Sequence, residues 1–162
     1  MDELTLEPLV LRLADALRRH GARIATAESC TGGLIAATCT AVPGSSDWFE
    51  RGVVTYSNAA KTELLGVPEA LLRTHGAVSE PVARAMAEGA RARAPVQRAV
   101  AVTGIAGPGG AVPGKPVGTV WLALSRDDAP VQAWRLQLPG DRAAVRLATV
   151  RAALEALIDS LP

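Results

Sequence analysis

The sequence predicts an α/β fold in which helices cover both faces of a mostly parallel sheet. Short apolar segments suited to buried strands, such as residues 98–105, alternate with segments of helical periodicity along most of the chain. Two further strands, 117–125 and 131–138, follow one another across a polar turn and add an antiparallel hairpin to the sheet. No internal repeat and no linker interrupts residues 1–162, so we expect a single domain.

The amino-terminal part of the chain is predicted to run as helix, strand, helix and strand. Leucines at helical spacing define a helix over residues 4–20, and a short apolar strand follows over 22–27. Thr31 is a favourable N-cap for a helix that extends from about 31 to 40. Residues 48–56 contain the valines and the threonine that are typical of a second strand.

The rest of the chain is predicted to form four further helical segments, a buried strand and an irregular loop, in addition to the hairpin. In chain order these are a short helix that contains Lys61 and is capped by Ser57 or Asn58, a helical turn from Pro68 to His75, a helix over 80–93, the strand over 98–105, an irregular loop over 106–116 and, after the hairpin, a helix over 142–160. Ser79 and Asp141 are favourable caps for the two longer helices.

The composition excludes several classes of protein. With 49% hydrophobic and 20% charged residues, the chain is globular rather than disordered. A net charge of +1 without a basic block gives no surface for nucleic acid. No apolar stretch is long enough to cross a bilayer, and the acidic start Met1-Asp2-Glu3 does not resemble a signal peptide. We therefore expect a soluble, cytoplasmic protein without a membrane or nucleic-acid partner.

Cysteine and histidine are too few and too scattered to predict a metal site. Cys30 and Cys39 lie in one predicted strand–helix unit, and a chain of this size does not need a disulfide. The sequence has only two histidines, His20 and His75, and contains neither a CxxC nor an HExxH motif. We expect no metal and no other cofactor.

Residues 28–33, Glu-Ser-Cys-Thr-Gly-Gly, place two candidate nucleophiles between the first strand and the next helix. Ser29 and Cys30 lie where free N–H groups and the helix dipole favour negative charge. Gly32 and Gly33 allow backbone or ligand to approach closely. The stretch predicts either a plain strand-to-helix turn or an active-site turn.

Three polar turns, 28–33, 56–61 and 103–110, are expected at the same edge of the sheet, because each follows a strand of the parallel part. Lys61 is a candidate general base beside a serine, and a solvated helix lysine is the alternative. Tyr56 is a candidate proton relay or ligand hydrogen-bond partner, and a half-buried strand aromatic is the alternative.

The glycine-rich stretch over 103–110 has neither a Walker A nor a GxGxxG pattern. Its successive N–H groups are a candidate nest for a phosphate, and a wide loop without a ligand is the alternative. Lys115 and Arg142 are candidate phosphate partners. For Arg142 a salt bridge at a helix N-terminus remains the other interpretation.

Six ordered motifs resemble those of one protein family. They are Ala-Glu-Ser-Cys-Thr-Gly-Gly (27–33), Gly-Val-Val-Thr-Tyr-Ser-Asn-Ala-Ala-Lys (52–61), Gly-Ala-Val-Ser (76–79), Thr-Gly-Ile-Ala-Gly-Pro-Gly-Gly (103–110), Lys-Pro-Val-Gly (115–118) and Gly-Asp-Arg (140–142). This set resembles the CinA C-terminal domain family, the nicotinamide-nucleotide amidohydrolases, over roughly residues 5–160. Longer members carry a molybdopterin-binding-like domain in front. The 162 residues of this sequence leave no room for such a domain, so we expect the stand-alone form here.

The resemblance implies hydrolysis of nicotinamide mononucleotide to nicotinate mononucleotide and ammonia, a step of pyridine nucleotide salvage, without a metal. It also implies a three-layer α/β/α sandwich of about five strands and a homodimer. It puts the nucleophile on Ser29, the base on Lys61 and an assisting tyrosine on Tyr56. The expected substrate-binding residues are Cys30, Thr31, Gly32, Gly33, Thr103, Gly104, Ala106, Gly107 and Arg142. We expect the N–H groups of residues 30–33 to receive the oxyanion and the loop over 104–110 to receive the phosphate.

Two alternatives remain at this point. Glu28, Lys61 and Cys30 have the residue types of a Glu-Lys-Cys amidase, in which a thiolate at a helix N-terminus is the nucleophile. A non-catalytic nucleotide-binding module is the second alternative, since it needs the glycine loop but not Ser29 and Lys61 together. Release of ammonia from nicotinamide mononucleotide distinguishes an enzyme from such a module.

Overall fold

The computed structural model describes residues 6–162 and confirms the α/β fold. Its elements are α1 (Glu7–His20), β1 (Ile24–Glu28), α2 (Leu34–Thr40), β2 (Phe49–Val54), α3 (Asn58–Leu65), α4 (Glu69–His75), α5 (Glu80–Ala92), β3 (Arg98–Gly104), β4 (Thr119–Arg126), β5 (Ala129–Gln137) and α6 (Arg142–Asp159). The first two residues of the predicted helix over 4–20 lie outside the described part. Within residues 6–162, none of the helices combines the length and the hydropathy that a membrane span requires.

The five strands form one mixed sheet in the order β2-β1-β3-β4-β5. β1 pairs in parallel with both β2 and β3, whereas β3–β4 and β4–β5 are antiparallel, so β4 alone of the five runs against the others. The carboxyl ends of β1, β2 and β3 therefore meet at one edge. At that edge the backbone ladder continues beyond the strands, because Ser29 N donates to Val102 O and Thr55 N donates to Glu28 O.

Helices cover both faces of the sheet, and the alternation of side chains along the strands explains the two cores. Val100 and Val102 of β3 face the core that α1, α2 and α6 complete. Ala99 and Ala101 point to the opposite face, where α5 packs with α3 and α4. The small side chains on this second face allow α5 to lie close to the sheet, which is consistent with the alanine-rich, aromatic-poor composition.

The predicted start of the second helix was wrong. α2 begins at Leu34, and its N-cap is Gly33 rather than Thr31. Gly32 and Gly33 have left-handed φ values of 58° and 104°, which keeps residues 31–33 out of the helix. Glu28 supplies the missing cap, because its carboxylate accepts the N–H groups of Ile35 at 2.8 Å and Ala36 at 3.0 Å.

Other predicted helix starts are confirmed, although Ser79 occupies the N-cap position of α5 without a capping side-chain bond, because its hydroxyl donates to the carbonyl of Gly76. The Ser57 hydroxyl accepts the N–H of Ala60 at the start of α3, and the Asp141 carboxylate accepts that of Ala144 at the start of α6. The predicted strand over 48–56 is shorter than expected. β2 ends at Val54, so Tyr56 lies in the turn that leads to α3.

A close approach between α3 and α5 depends on Gly89. A Cβ atom at this position would lie 1.9 Å from the carbonyl oxygen of Leu65, at the end of α3. Such a separation is impossible without a backbone shift. Glycine therefore sets how near α3, which carries Lys61, comes to the helix that covers the sheet.

We predict that Gly89→Ala lowers the free energy of unfolding by about 1–2 kcal/mol, because an overpacking cost of about 2–3 kcal/mol exceeds the gain of about 1 kcal/mol in helix propensity. Urea denaturation measures the change. Gly109→Ala is the matched control, since a Cβ there meets no atom within 4 Å. Equal stability of the two variants would show that α3 and α5 do not need the close contact.

Candidate active site

Lys61 is a buried lysine whose amine lies beside a serine hydroxyl. Its side chain belongs to α3 and the residue is 1% exposed. Nζ lies 3.1 Å from Ser29 Oγ and donates to the carbonyl oxygen of Thr55 at 2.8 Å. Burial lowers the pKa of Lys61 below the ordinary lysine value, while the Cys30 thiol acts weakly in the other direction. A lysine with a lowered pKa can accept the serine proton, as general-base activation requires.

The carboxylate of Glu28 fixes the turn that carries Ser29. This glutamate is fully buried, and besides capping α2 it accepts a hydrogen bond from Thr31 Oγ1. Gly32 N donates to Ser29 O and closes the turn. Both carboxylate oxygens of Glu28 are thus bound by α2 and Thr31. Glu28 does not bond to Lys61 or Cys30, and the geometry of a Glu-Lys-Cys triad is not formed.

Cys30 has the environment of an inert thiol. It is 6% exposed, and burial raises the pKa of the thiol to about 11. Lys61 Nζ directs its side-chain hydrogen bond to Ser29 Oγ. Of the two candidate nucleophiles, Ser29 is therefore the one with a base in contact.

These residues line a cavity of about 220 Å³ at the carboxyl edge of the sheet. Of the residues predicted for the site it contains Ser29, Cys30, Tyr56, Lys61, Thr103, Gly104, Ala106 and Arg142. Thr31, Gly32, Gly33 and Gly107 do not line it. Asn58, Ala77 and Val78 line it as well and were not predicted, although they lie within or directly after motifs noted in the sequence.

Arg142 joins two loops at the mouth of the cavity. Its Nη2 donates to the Tyr56 hydroxyl at 3.1 Å, and its Nη1 donates to the Gly107 carbonyl at 2.8 Å. Tyr56 is 62% exposed, so the pair forms an accessible rim rather than a part of the core. Gly107 thus belongs to the site through its carbonyl. No carboxylate within residues 6–162 forms a salt bridge with Arg142. Among these residues, the alternative of a salt bridge at the N-terminus of α6 is therefore excluded.

Thr103 and Lys115 hold another wall of the cavity. Thr103 Oγ1 donates to the carbonyl of Ala77 at 2.9 Å, and Lys115 Nζ donates to the carbonyl of His75 at 2.7 Å. The first bond fixes the segment between α4 and α5, and the second fixes the last residue of α4. The Thr103 hydrogen is therefore engaged, which leaves its oxygen as an acceptor toward a ligand, and Lys115 points to the protein backbone rather than to the cavity.

In the part of the chain that the structure describes, no group of three His, Cys, Asp or Glu side chains is placed to hold a metal ion. The chemistry available in the cavity comes from the serine, the lysine and the donors around them. This combination, a hydroxyl in contact with a buried amine of lowered pKa, is suited to acyl transfer.

Comparison with known proteins agrees with the motifs. A family model described as CinA C-terminal domain matches residues 6–161. The chain belongs to the CinA C-terminal domain family. A relative named nicotinamide-nucleotide amidohydrolase PncC, from Pseudomonas putida, is 56% identical over 98% of this chain and 97% of its own length.

Other family members are longer than this chain or have known structures. A CinA-like protein from Akkermansia muciniphila is 54% identical over 89% of this chain, but the match spans 35% of that protein. The crystal structure of competence/damage inducible protein CihA from Agrobacterium tumefaciens superimposes with a TM-score of 0.93. It is 48% identical, and the match covers 95% of this chain and 94% of that one.

We predict that iodoacetamide labels Cys30 very slowly in the folded protein at pH 7.5, because a pKa of about 11 leaves fewer than about one thiol in 1,000 ionised. Mass spectrometry of the Cys30 peptide measures the rate. The same reaction in urea is the control and is expected to be fast. Rapid stoichiometric labelling of the folded protein would contradict the buried, protonated thiol.

Proposed function

We propose that this protein hydrolyses the carboxamide of nicotinamide mononucleotide to nicotinate mononucleotide and ammonia. The observation that carries the proposal is the 3.1 Å contact between Lys61 Nζ and Ser29 Oγ in a cavity at the sheet edge. The name of the Pseudomonas putida relative, which is matched over nearly its whole length, supports the choice of substrate. The family resemblance further leads us to propose a cytoplasmic homodimer that acts in pyridine nucleotide salvage.

In the first half of the reaction Ser29 is acylated. Ser29 Oγ attacks the amide carbon while Lys61 takes the hydroxyl proton, and the carbonyl oxygen becomes an oxyanion. Cys30 lines the cavity and its N–H has no backbone acceptor among the described residues, so it is the first proposed oxyanion donor. The N–H of Thr31 also lacks a backbone acceptor and is the second proposed donor, although Thr31 itself does not line the cavity. When the tetrahedral intermediate collapses, the C–N bond breaks and Lys61 returns the proton to the departing nitrogen. Ammonia leaves and a nicotinoyl ester remains on Ser29.

In the second half water replaces ammonia. Lys61, now neutral, takes a proton from a water molecule as the water oxygen attacks the ester carbon. The bond between the carbon and Ser29 Oγ then breaks, and Lys61 returns the proton to the serine. The product is nicotinate mononucleotide, and both residues are back in their starting states.

The remaining site residues are assigned to the nucleotide. Tyr56 and Arg142 lie at the cavity mouth, where their phenol and guanidinium groups contact the part of the substrate that extends outward. Tyr56 is also the proposed residue that assists the reaction. The loop over 104–110 is the proposed position of the phosphate, because glycines there expose backbone N–H groups. A cavity of about 220 Å³ is smaller than the 300–1,000 Å³ of a typical ligand site, so the reacting ring is inside and the phosphate is near the mouth.

Ser29→Ala is expected to abolish ammonia release from nicotinamide mononucleotide, because the nucleophile is lost. Cys30→Ala is the matched control in the same turn and should keep a substantial part of the rate. A coupled ammonia assay measures both. An active Ser29→Ala variant beside a folded, inactive Cys30→Ala variant would reverse the assignment, and a wild-type protein that releases no ammonia would favour the binding-module alternative.

Lys61→Arg should lower kcat strongly with little change in KM, since arginine stays protonated and cannot accept the serine proton. The wild-type rate should rise with pH as Lys61 loses its proton. Because burial lowers the pKa of Lys61, the acid limb of the kcat–pH profile should report a pKa below the ordinary lysine value of about 10.4. Turnover of Lys61→Arg near the wild-type rate would exclude Lys61 as the base.

A further inference from the structure

Arg146 of α6 contacts the turn over residues 28–33, here called the nucleophile turn, and binds its carbonyl groups, whereas Glu28 binds backbone N–H groups. Its Nε donates to the carbonyl of Cys30 at 3.2 Å, and its Nη2 donates to the carbonyl of Thr31 at 3.0 Å. The side chain is half-buried, and within residues 6–162 no carboxylate forms a salt bridge with it. Its positive charge is therefore directed at two consecutive peptide groups immediately after Ser29.

The Thr31 carbonyl also accepts the N–H of Leu34 at 3.0 Å, whereas among the described residues Arg146 alone binds the Cys30 carbonyl. Arg146 therefore acts mainly on the peptide group between Cys30 and Thr31. In a planar trans peptide the C=O and N–H point in opposite directions. When Arg146 holds the carbonyls of Cys30 and Thr31 on the α6 side, the N–H of Thr31 points away from α6. The third carbonyl of the turn, that of Ser29, is held by Gly32 N. All the acceptors of the turn are thus engaged, while the N–H groups of Cys30 and Thr31 stay available.

The turn needs such a restraint because of its sequence. Gly32 and Gly33 both have positive φ, and glycine allows rotation of the neighbouring peptide groups at little cost. A rotated peptide would present a carbonyl oxygen where an N–H is required, and that oxygen would repel an oxyanion. A guanidinium also polarises the amides that it binds, which makes their N–H groups stronger donors.

We infer that Arg146 is a positioning residue for the reaction at Ser29, because it orients and polarises the peptide group between Cys30 and Thr31, whose N–H is one of the two proposed oxyanion donors. The inference rests on the proposed acyl transfer and adds to it a residue on another helix that touches neither Lys61 nor the cavity. Lysine cannot replace it fully, since a single ammonium group does not provide the two donors in the fork that reaches both carbonyls.

The test compares Arg146→Met and Arg146→Lys with wild-type protein, and Arg151→Met is the control. Arg151 lies on the same helix and pairs with Glu155 at 3.6 Å. For Arg146→Met we expect kcat for nicotinamide mononucleotide to fall about 10–100-fold, somewhat less than for removal of a direct oxyanion donor. Arg146→Lys should be intermediate. The Kd for the product nicotinate mononucleotide should change by less than about twofold, because the planar product does not need the oxyanion donors.

A second measurement does not depend on the nucleotide. A fluorophosphonate probe reacts with an activated serine: the bond from Oγ to phosphorus forms, the P–F bond breaks, fluoride leaves and Lys61 receives the proton. Its phosphoryl oxygen draws on the same donors as the amide oxygen. We expect slower labelling of Ser29 in Arg146→Met than in the wild type and Arg151→Met, with Ser29→Ala unlabelled.

The outcomes separate the two proposals. If the wild type hydrolyses no nicotinamide mononucleotide but is labelled faster than Arg146→Met, the substrate is wrong and the positioning role holds. Wild-type kcat and labelling rate in a folded Arg146→Met variant would overturn the positioning role while the proposed function stands. A fall in kcat accompanied by an equal loss of product affinity would also overturn it, since that pattern indicates general damage to the site. A wild type that neither hydrolyses nor is labelled contradicts both.

Discussion

The burial of one lysine is the constraint on which the site depends. An ammonium group taken out of water is costly, and the fold compensates with two oxygen partners, the hydroxyl of Ser29 and the carbonyl of Thr55. The same desolvation lowers the pKa of Lys61 and favours the neutral amine, which the proposed role as base requires. The protein thus accepts a local loss of stability in exchange for a reactive pair.

That burial is a consequence of how the helices lie on one face of the sheet. Alanines at alternate positions of β1 and β3 give this face little height, so α5 packs close to the strands. Gly89 then lets the end of α3 approach α5. Larger side chains at these positions would lift α3 away, and Lys61 would have access to water. The small residues of this core therefore let α3 lie close enough to the sheet to keep Lys61 buried.

Two side chains of opposite charge bind the backbone in and directly after the turn over residues 28–33. Glu28 binds the N–H groups at the start of α2 and Arg146 binds the carbonyls of residues 30 and 31. Each charge meets the end of the peptide dipoles that it attracts. The turn can therefore contain two flexible glycines and still keep one conformation. This holds Ser29 in place relative to Lys61, as the proposed proton transfer requires.

The sequence by itself determined the local features of this protein. Apolar runs and helical periodicity predicted the strands and helices, Asp141 was predicted as a cap, Ser57 was one of two predicted caps of α3, and the motifs predicted that Ser29 and Lys61 lie together. The tertiary structure alone decided that Lys61 is buried, that α2 starts after a glycine pair capped by Glu28, and that Arg146 reaches the turn at Cys30. Lys61 and Ser29 are 32 positions apart in the sequence, and Arg146 and Cys30 are 116 positions apart. Periodicity and capping act within a few residues, whereas burial and long-range hydrogen bonds arise only when the helices pack.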